Sequence, residues 1–383
     1  MPIIPTTSRF RLASVSLALV AGATLSGTLA CASGATPASS GAPEPATTVV
    51  VPPKANAQWP VKTREHVDLW LHGFALLQTD STLVPFFRRG YRDDLTVLKN
   101  RANVTTQFDV NRDRLQSQMA SNRLLVNAQF VPFYFASMEE MRTTIDRFVA
   151  AAGNVQSARS QQEAMQFGVL ASYFQTATER SWLSLFASAL WDEDAKFYHS
   201  YWTQQQRERA NVIDSVQSMW QHTVRPRLQR VLNNTQQRDG DILLSLPLDG
   251  EGRSMSGSGG NQRNVVAVSF PARPADAPDA MYVIAHEIVG SITNTALADN
   301  TTPAEQRSGA VDRLASAAAV RGGLMLMEKL VPELADGYAR YYVRATGRTL
   351  AANPRVQIAA LFPLPDVIRD AIARQIDQVQ GGI

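Results

Sequence analysis

His286 and Glu287 are the residues whose types and order could do chemistry. An imidazole followed by a carboxylate on a helix, with a second imidazole four residues after the first, sets two metal-binding nitrogens one turn apart on a common face. The carboxylate then serves as general base toward a water bound to the zinc ion that those nitrogens hold. Here the order is His286-Glu287-Ile288-Val289-Gly290, so the position of the second imidazole carries glycine and offers no ligand atom. Glycine inside a helix costs about 0.8–1 kcal/mol relative to alanine, which marks Gly290 as a position with a reason to be small.

A helix has to carry this pair. On a helical wheel Met281, Ile284, Ala285, Ile288, Val289, Ile292 and Ala296 share one side, and His286, Glu287, Gly290, Thr293 and Asn294 cluster opposite. Either the polar side is simply solvated, or the apolar side packs on a core while the polar side floors a cleft. Asp279 is the expected cap, following Pro271, Pro274 and Pro278. Ahead of it, residues 242–246 and 264–270 have the texture of short strands, separated by Asp249-Gly250-Glu251-Gly252-Arg253 and a Ser/Gly-rich loop. From 59 to 238 the three-and-four spacing of apolar residues is helical almost throughout, with runs at 138–152, 161–189, 192–220 and 223–235. Helices resume at 303–329, 332–346 and 366–380. The expected fold is therefore mainly α, a multi-helix body with a small β element just before the motif helix.

A short strand followed by a helix bearing His286 and Glu287 resembles the gluzincin class of zinc metallopeptidases, over residues 241–342. The resemblance implies that His286 is a zinc ligand, that Glu287 is the base, and that a later helix supplies a glutamate ligand. Glu328 is the candidate. Gly322 to Met327 and Leu330-Val331 surround it, so its carboxylate is expected to be buried, held either by a metal or by an arginine such as Arg321. His286 and Glu328 alone fall short of the three protein ligands usual for catalytic zinc. His66, His72, His199 and His222, all on expected helices, are the imidazoles that could make up the set. Tyr338, Tyr341 and Tyr342 read as core aromatics or as an oxyanion donor. The functional expectation is a metallopeptidase-like protein with a degenerate, inactive centre that retains a cleft for a peptide or protein ligand. The alternative is a non-enzymatic helical envelope protein with a structural or ligand-binding role.

The start of the chain gives an address. Arg9 and Arg11 precede an apolar stretch over 12–25, and Thr28-Leu29-Ala30-Cys31 follows, which resembles a bacterial lipoprotein signal with Cys31 as the lipidated residue. Ala30-Cys31-Ala32 also fits ordinary signal cleavage, and an uncleaved anchor is the third option. Cys31 is the only cysteine among 383 residues, so no internal disulfide can form. Residues 1–30 are read as the signal, 31–57 as an Ala/Pro/Ser-rich disordered tether, 58–240 as a helical lobe and 241–383 as a zincin-like lobe. The expected location is the cell envelope, on the periplasmic side of the outer membrane, through a lipid anchor.

Composition narrows the partners. Losing Arg9 and Arg11 takes the formal charge from +3 to +1, and no basic cluster with interleaved aromatics appears, which argues against nucleic acid. The glycine-rich stretch lacks Gly-Lys-Ser/Thr, and its serines lack a nucleophile elbow, so nucleotide binding and serine hydrolysis are set aside. Glu139-Glu140 and Asp192-Glu193-Asp194 read as carboxylates near helix starts.

Overall fold

Alternating side chains on two neighbouring strands divide the interior into two cores. The computed structural model describes residues 58–78, 82–257 and 263–381. Residues 1–57, read above as signal and tether and including Cys31, lie outside them. The protein is mainly helical, with one four-stranded sheet: β1 (Val61–Lys62), β2 (Gly240–Ser245), β3 (Arg253–Met255) and β4 (Asn264–Ser269). Their spatial order is β1-β2-β4-β3. β1, β2 and β4 run parallel, with Ile242 paired to Val266, and β3 closes one edge antiparallel, with Ser254 opposite Val266.

Because successive strand residues face opposite sides, Leu243, Val265 and Ala267 enter one core while Ile242, Leu244, Val266 and Val268 enter the other. A largely parallel sheet needs cover on both faces, and helices provide it. The first core is built mainly by helices Glu65–Leu77, Gln107–Ser121, Met138–Ala150, Gln161–Tyr173 and Ala177–Glu193. Helices Ala277–Ile288, Ala310–Leu330, Pro332–Ala345 and Asp366–Gly381 build the second. Two helices that precede the sheet's long strands, Ala210–Met219 and Arg225–Asn234, also pack into the second core. Among the described residues no helix is long and apolar enough to cross a membrane.

Several boundaries differ from the sequence expectation, for local reasons. The run expected at 161–189 is two helices, because Thr176 and Glu179 form a reciprocal capping box that starts a new one. Asp279 is not the cap of the motif helix: the helix begins at Ala277, and Asp276 precedes it with its carboxylate held by Arg273 at 2.9 Å. Asp279 instead lies in the first turn, where burial raises its pKa to about 6. The helix also stops at Ile288, and a second one, Gly290–Asp299, continues after Val289.

Candidate functional site

The motif helix is buried almost all round, so neither His286 nor Glu287 faces solvent. His286 is 3% exposed, and its ring lies nearly parallel to that of Tyr342 with centroids 5.5 Å apart. Tyr342 comes from helix Pro332–Ala345 and is itself fully buried, its hydroxyl donating to the Gly250 carbonyl at 3.1 Å. Tyr338 likewise donates to the Val320 carbonyl. The tyrosines are core residues, and one of them is the platform for the motif imidazole.

The edge strand covers Glu287. A Cβ at Gly252 would stand 2.7 Å from Glu287 Cγ and 2.8 Å from the Ala267 carbonyl oxygen, so only glycine lets the backbone lie this close. Nδ1 of His286 is 3.1 Å from Glu287 Oε1. With Glu287 ionised, Nδ1 must be the donor, because a carboxylate only accepts. Burial by itself would raise the Glu287 pKa, but the His286 contact, the Ser254 hydroxyl and the Arg253 charge outweigh it and hold the value below the usual range. Burial by itself would lower the His286 pKa, and the charges of Glu251 and Glu287 reverse that and raise it.

The third member of the group is Glu251, just ahead of β3. Its Oε2 lies 3.8 Å from His286 Nε2, while its Oε1 accepts from the Ser316 hydroxyl at 2.8 Å. One donor atom from each of Glu251, His286 and Glu287 falls within 4.8 Å of the others. Nε2 of His286 has no hydrogen-bond partner, although it is buried. Arg253 completes the set of charges. It is 3% exposed, donates to Gln129 Oε1 at 2.8 Å and to the Gly252 carbonyl at 2.6 Å, and lies over the Phe86 ring at 4.3 Å.

Two of the residues expected here are elsewhere in role or place. Glu328 is not buried: its side chain is 39% exposed and pairs with Arg355 at 3.3 Å, on the solvent side of helix Ala310–Leu330. What that helix turns toward the motif is glycine. A Cβ at Gly322 would meet the Thr293 side chain at 2.6 Å. Gly290 shows the converse: a Cβ there would have nothing within 4 Å, so the position has no steric need to be small.

No other histidine joins the motif. His66 and His72 are buried in the first core, hydrogen-bonded to the Phe135 carbonyl and to Tyr91 and Glu193. His199 is exposed beside Glu65 and Asp194. Asp192-Glu193-Asp194 stands at the end of helix Ala177–Glu193 rather than at a start, and Glu193 is fully buried. A surface depression of about 220 Å³ opens at the start of the motif helix, between Arg89, Asp279, Tyr341 and Arg344, and His286 does not line it.

The zinc set implied by the resemblance does not fit these positions, because Glu328 faces solvent and Gly290 supplies no donor. Glu251 was missed because an acidic residue between two glycines reads as a turn, and its only signal is that it precedes a three-residue strand. Compared with protein-family models, with curated proteins and with solved structures, the chain has no significant match.

Proposed function

We propose that this chain is an exported cell-envelope lipoprotein with a metallopeptidase-like frame that binds a peptide or protein partner and does not hydrolyse it. The observation that carries the second half is the seat of β3 on Glu287. A base must reach a water and a substrate carbonyl, within about 2.6–3.2 Å of the proton it takes. With the chain at Gly252 so close that an added Cβ would stand 2.7 Å from Glu287 Cγ, and with His286 and Ser254 on the carboxylate, a substrate carbonyl has no clear approach. The solvent-facing Glu328 points the same way, since it leaves the motif without its downstream ligand.

The antiparallel edge strand β3, paired to the strand β4 that precedes the motif helix, supports the metallopeptidase-like frame. The anchor rests on the placement of Cys31 after an apolar stretch. Two measurements test the reading. Incubating the mature chain with an unfolded protein and with quenched fluorescent peptides, with added zinc, should give no cleavage above the buffer rate. Cleavage that disappears in Glu287→Gln would overturn the non-hydrolytic reading. Cys31→Ser should move the protein from the membrane fraction to the soluble periplasmic fraction, and unchanged fractionation would remove the anchor.

A further inference from the structure

We propose that Glu251 and His286, backed by Glu287, form a buried site for a first-row divalent cation such as zinc, made from a different donor set than the one the motif suggests. His286 Nε2 is buried, makes no hydrogen bond and points at Glu251 Oε2 across 3.8 Å. A charge-assisted hydrogen bond would draw a nitrogen and a carboxylate oxygen to about 2.7–2.9 Å. Two ligands of one zinc ion, each bonded at about 2.0–2.2 Å, stand roughly 3–4 Å apart. The observed gap is too wide for the first and falls inside the second.

The neighbouring groups are arranged as supports for such a site. Glu287 accepts a hydrogen bond from Nδ1–H, which fixes the tautomer of the neutral imidazole and leaves the Nε2 lone pair free to face the gap. Ser316 donates to Oε1 of Glu251 and so turns Oε2 toward the ring. Tyr342 stacks on the imidazole and ties its hydroxyl to Gly250, the residue before Glu251, so ring and carboxylate are held from one platform. Glu251 and Glu287 bring two negative charges, met by Arg253 and by His286 when it is protonated, and a bound cation would replace the Nε2 proton in that balance. One imidazole with carboxylates favours zinc, cobalt or manganese over magnesium and calcium, which prefer oxygen alone. The ion would link the segment ahead of the edge strand to the motif helix, and with fewer protein donors than the four of a structural zinc site it would complete its coordination with water.

The test uses the full mature chain with its affinity tag removed, stripped by chelator, loaded with zinc and desalted. Mass spectrometry of the eluate should find about one zinc per chain. Zinc should raise the thermal midpoint, and magnesium at the same concentration should not. Glu251→Gln should weaken zinc affinity by about tenfold or more, as should His286→Gln, with circular dichroism confirming each fold, whereas Glu328→Gln should bind as the parent does. If His286→Gln does not fold, the more exposed Glu251→Gln decides the question alone. A stripped chain that retains no zinc, or a Glu251→Gln protein that binds it undiminished, would sink the proposal. Zinc retention and peptide cleavage are separate readouts, so failure of this site leaves the non-hydrolytic reading intact, and cleavage would overturn that reading without touching the site.

Discussion

Each of the two cores buries a histidine–carboxylate pair, and the pairs differ in what they leave over. In the first core both nitrogens of His72 are occupied, by Tyr91 at 3.1 Å and by Glu193 at 3.3 Å. Glu193 also receives Lys99 Nζ at 3.0 and 2.8 Å on its two oxygens, and the Thr106 hydroxyl. Lys99 also pairs with Asp109 at 2.6 Å, so both nitrogens of the imidazole and both oxygens of Glu193 are engaged. In the second core His286 is satisfied at one nitrogen only, and the next carboxylate stops at 3.8 Å. Buried polar groups nearly always find partners, so a closed network belongs to the fold and an open one is where a ligand should be sought.

The comparison predicts its largest effect in the closed network. Glu193→Gln leaves the Lys99 ammonium, 5% exposed, with only the partly exposed Asp109 carboxylate at 2.6 Å, and should cost up to about 3–5 kcal/mol in urea unfolding. The double change Glu193→Leu with Lys99→Met removes both charges and should recover most of that loss. A single substitution costing less than about 1 kcal/mol would show that the network is not what holds this core. The same carboxylate sets an acid limit. Burial would raise its pKa, but His72 and Lys99 prevail and lower it from 4.5 to about 2. The folded value lies below the unfolded one, so the stabilisation, roughly 3 kcal/mol, is present at neutral pH. It is lost as pH falls from about 4.5 through about 2, and Glu193→Gln should flatten that part of the stability profile.

How much of this could be read in the sequence follows from the range of each signal. The mainly helical body, the two long strands and the motif helix are legible because each repeats its pattern over enough residues to show a period. β1 and β3, of two and three residues, are too short to carry one. The turn at Phe174-Gln175 is announced by Thr176 and Glu179, a capping signature that the apolar periodicity on either side obscures. Glu328 misleads because apolar neighbours in sequence do not fix which arc of a helix meets solvent. Its actual partner, Arg355, lies on helix Pro354–Leu361, which the pattern of the chain does not advertise. The dipeptide His286-Glu287 identifies the right helix, yet the residue that completes the group, Glu251, is brought in by the pairing of β3 with β4 beside that helix, and no helical spacing encodes that.

Smaller effects sharpen the open site. Gly252→Ala should destabilise by about 1–3 kcal/mol, because its methyl group meets Glu287 Cγ and a strand carbonyl that cannot retreat. A neutral result would mean that β3 does not lie on the motif and would reopen the question of catalysis. Gly290→Ala runs the other way. Its methyl has open space, and because Gly290 is the first residue of helix Gly290–Asp299 alanine should add only part of the interior difference, less than about 1 kcal/mol, read as a higher urea midpoint with unchanged slope.

The smallest effect is expected at Glu328, and its smallness is the point. A half-exposed ion pair contributes about 0–1 kcal/mol, so Glu328→Gln should shift stability by no more than that and leave zinc retention untouched. Arg355 keeps a second carboxylate, Asp336 at 2.7 Å, which limits the loss further. If Glu328→Gln instead released zinc as Glu251→Gln is expected to, the ligand set would be the one the motif first implied, and β3 would have to swing away from Glu287 to admit it. The relative loss of metal in these two variants therefore decides which carboxylate the imidazole of His286 works with.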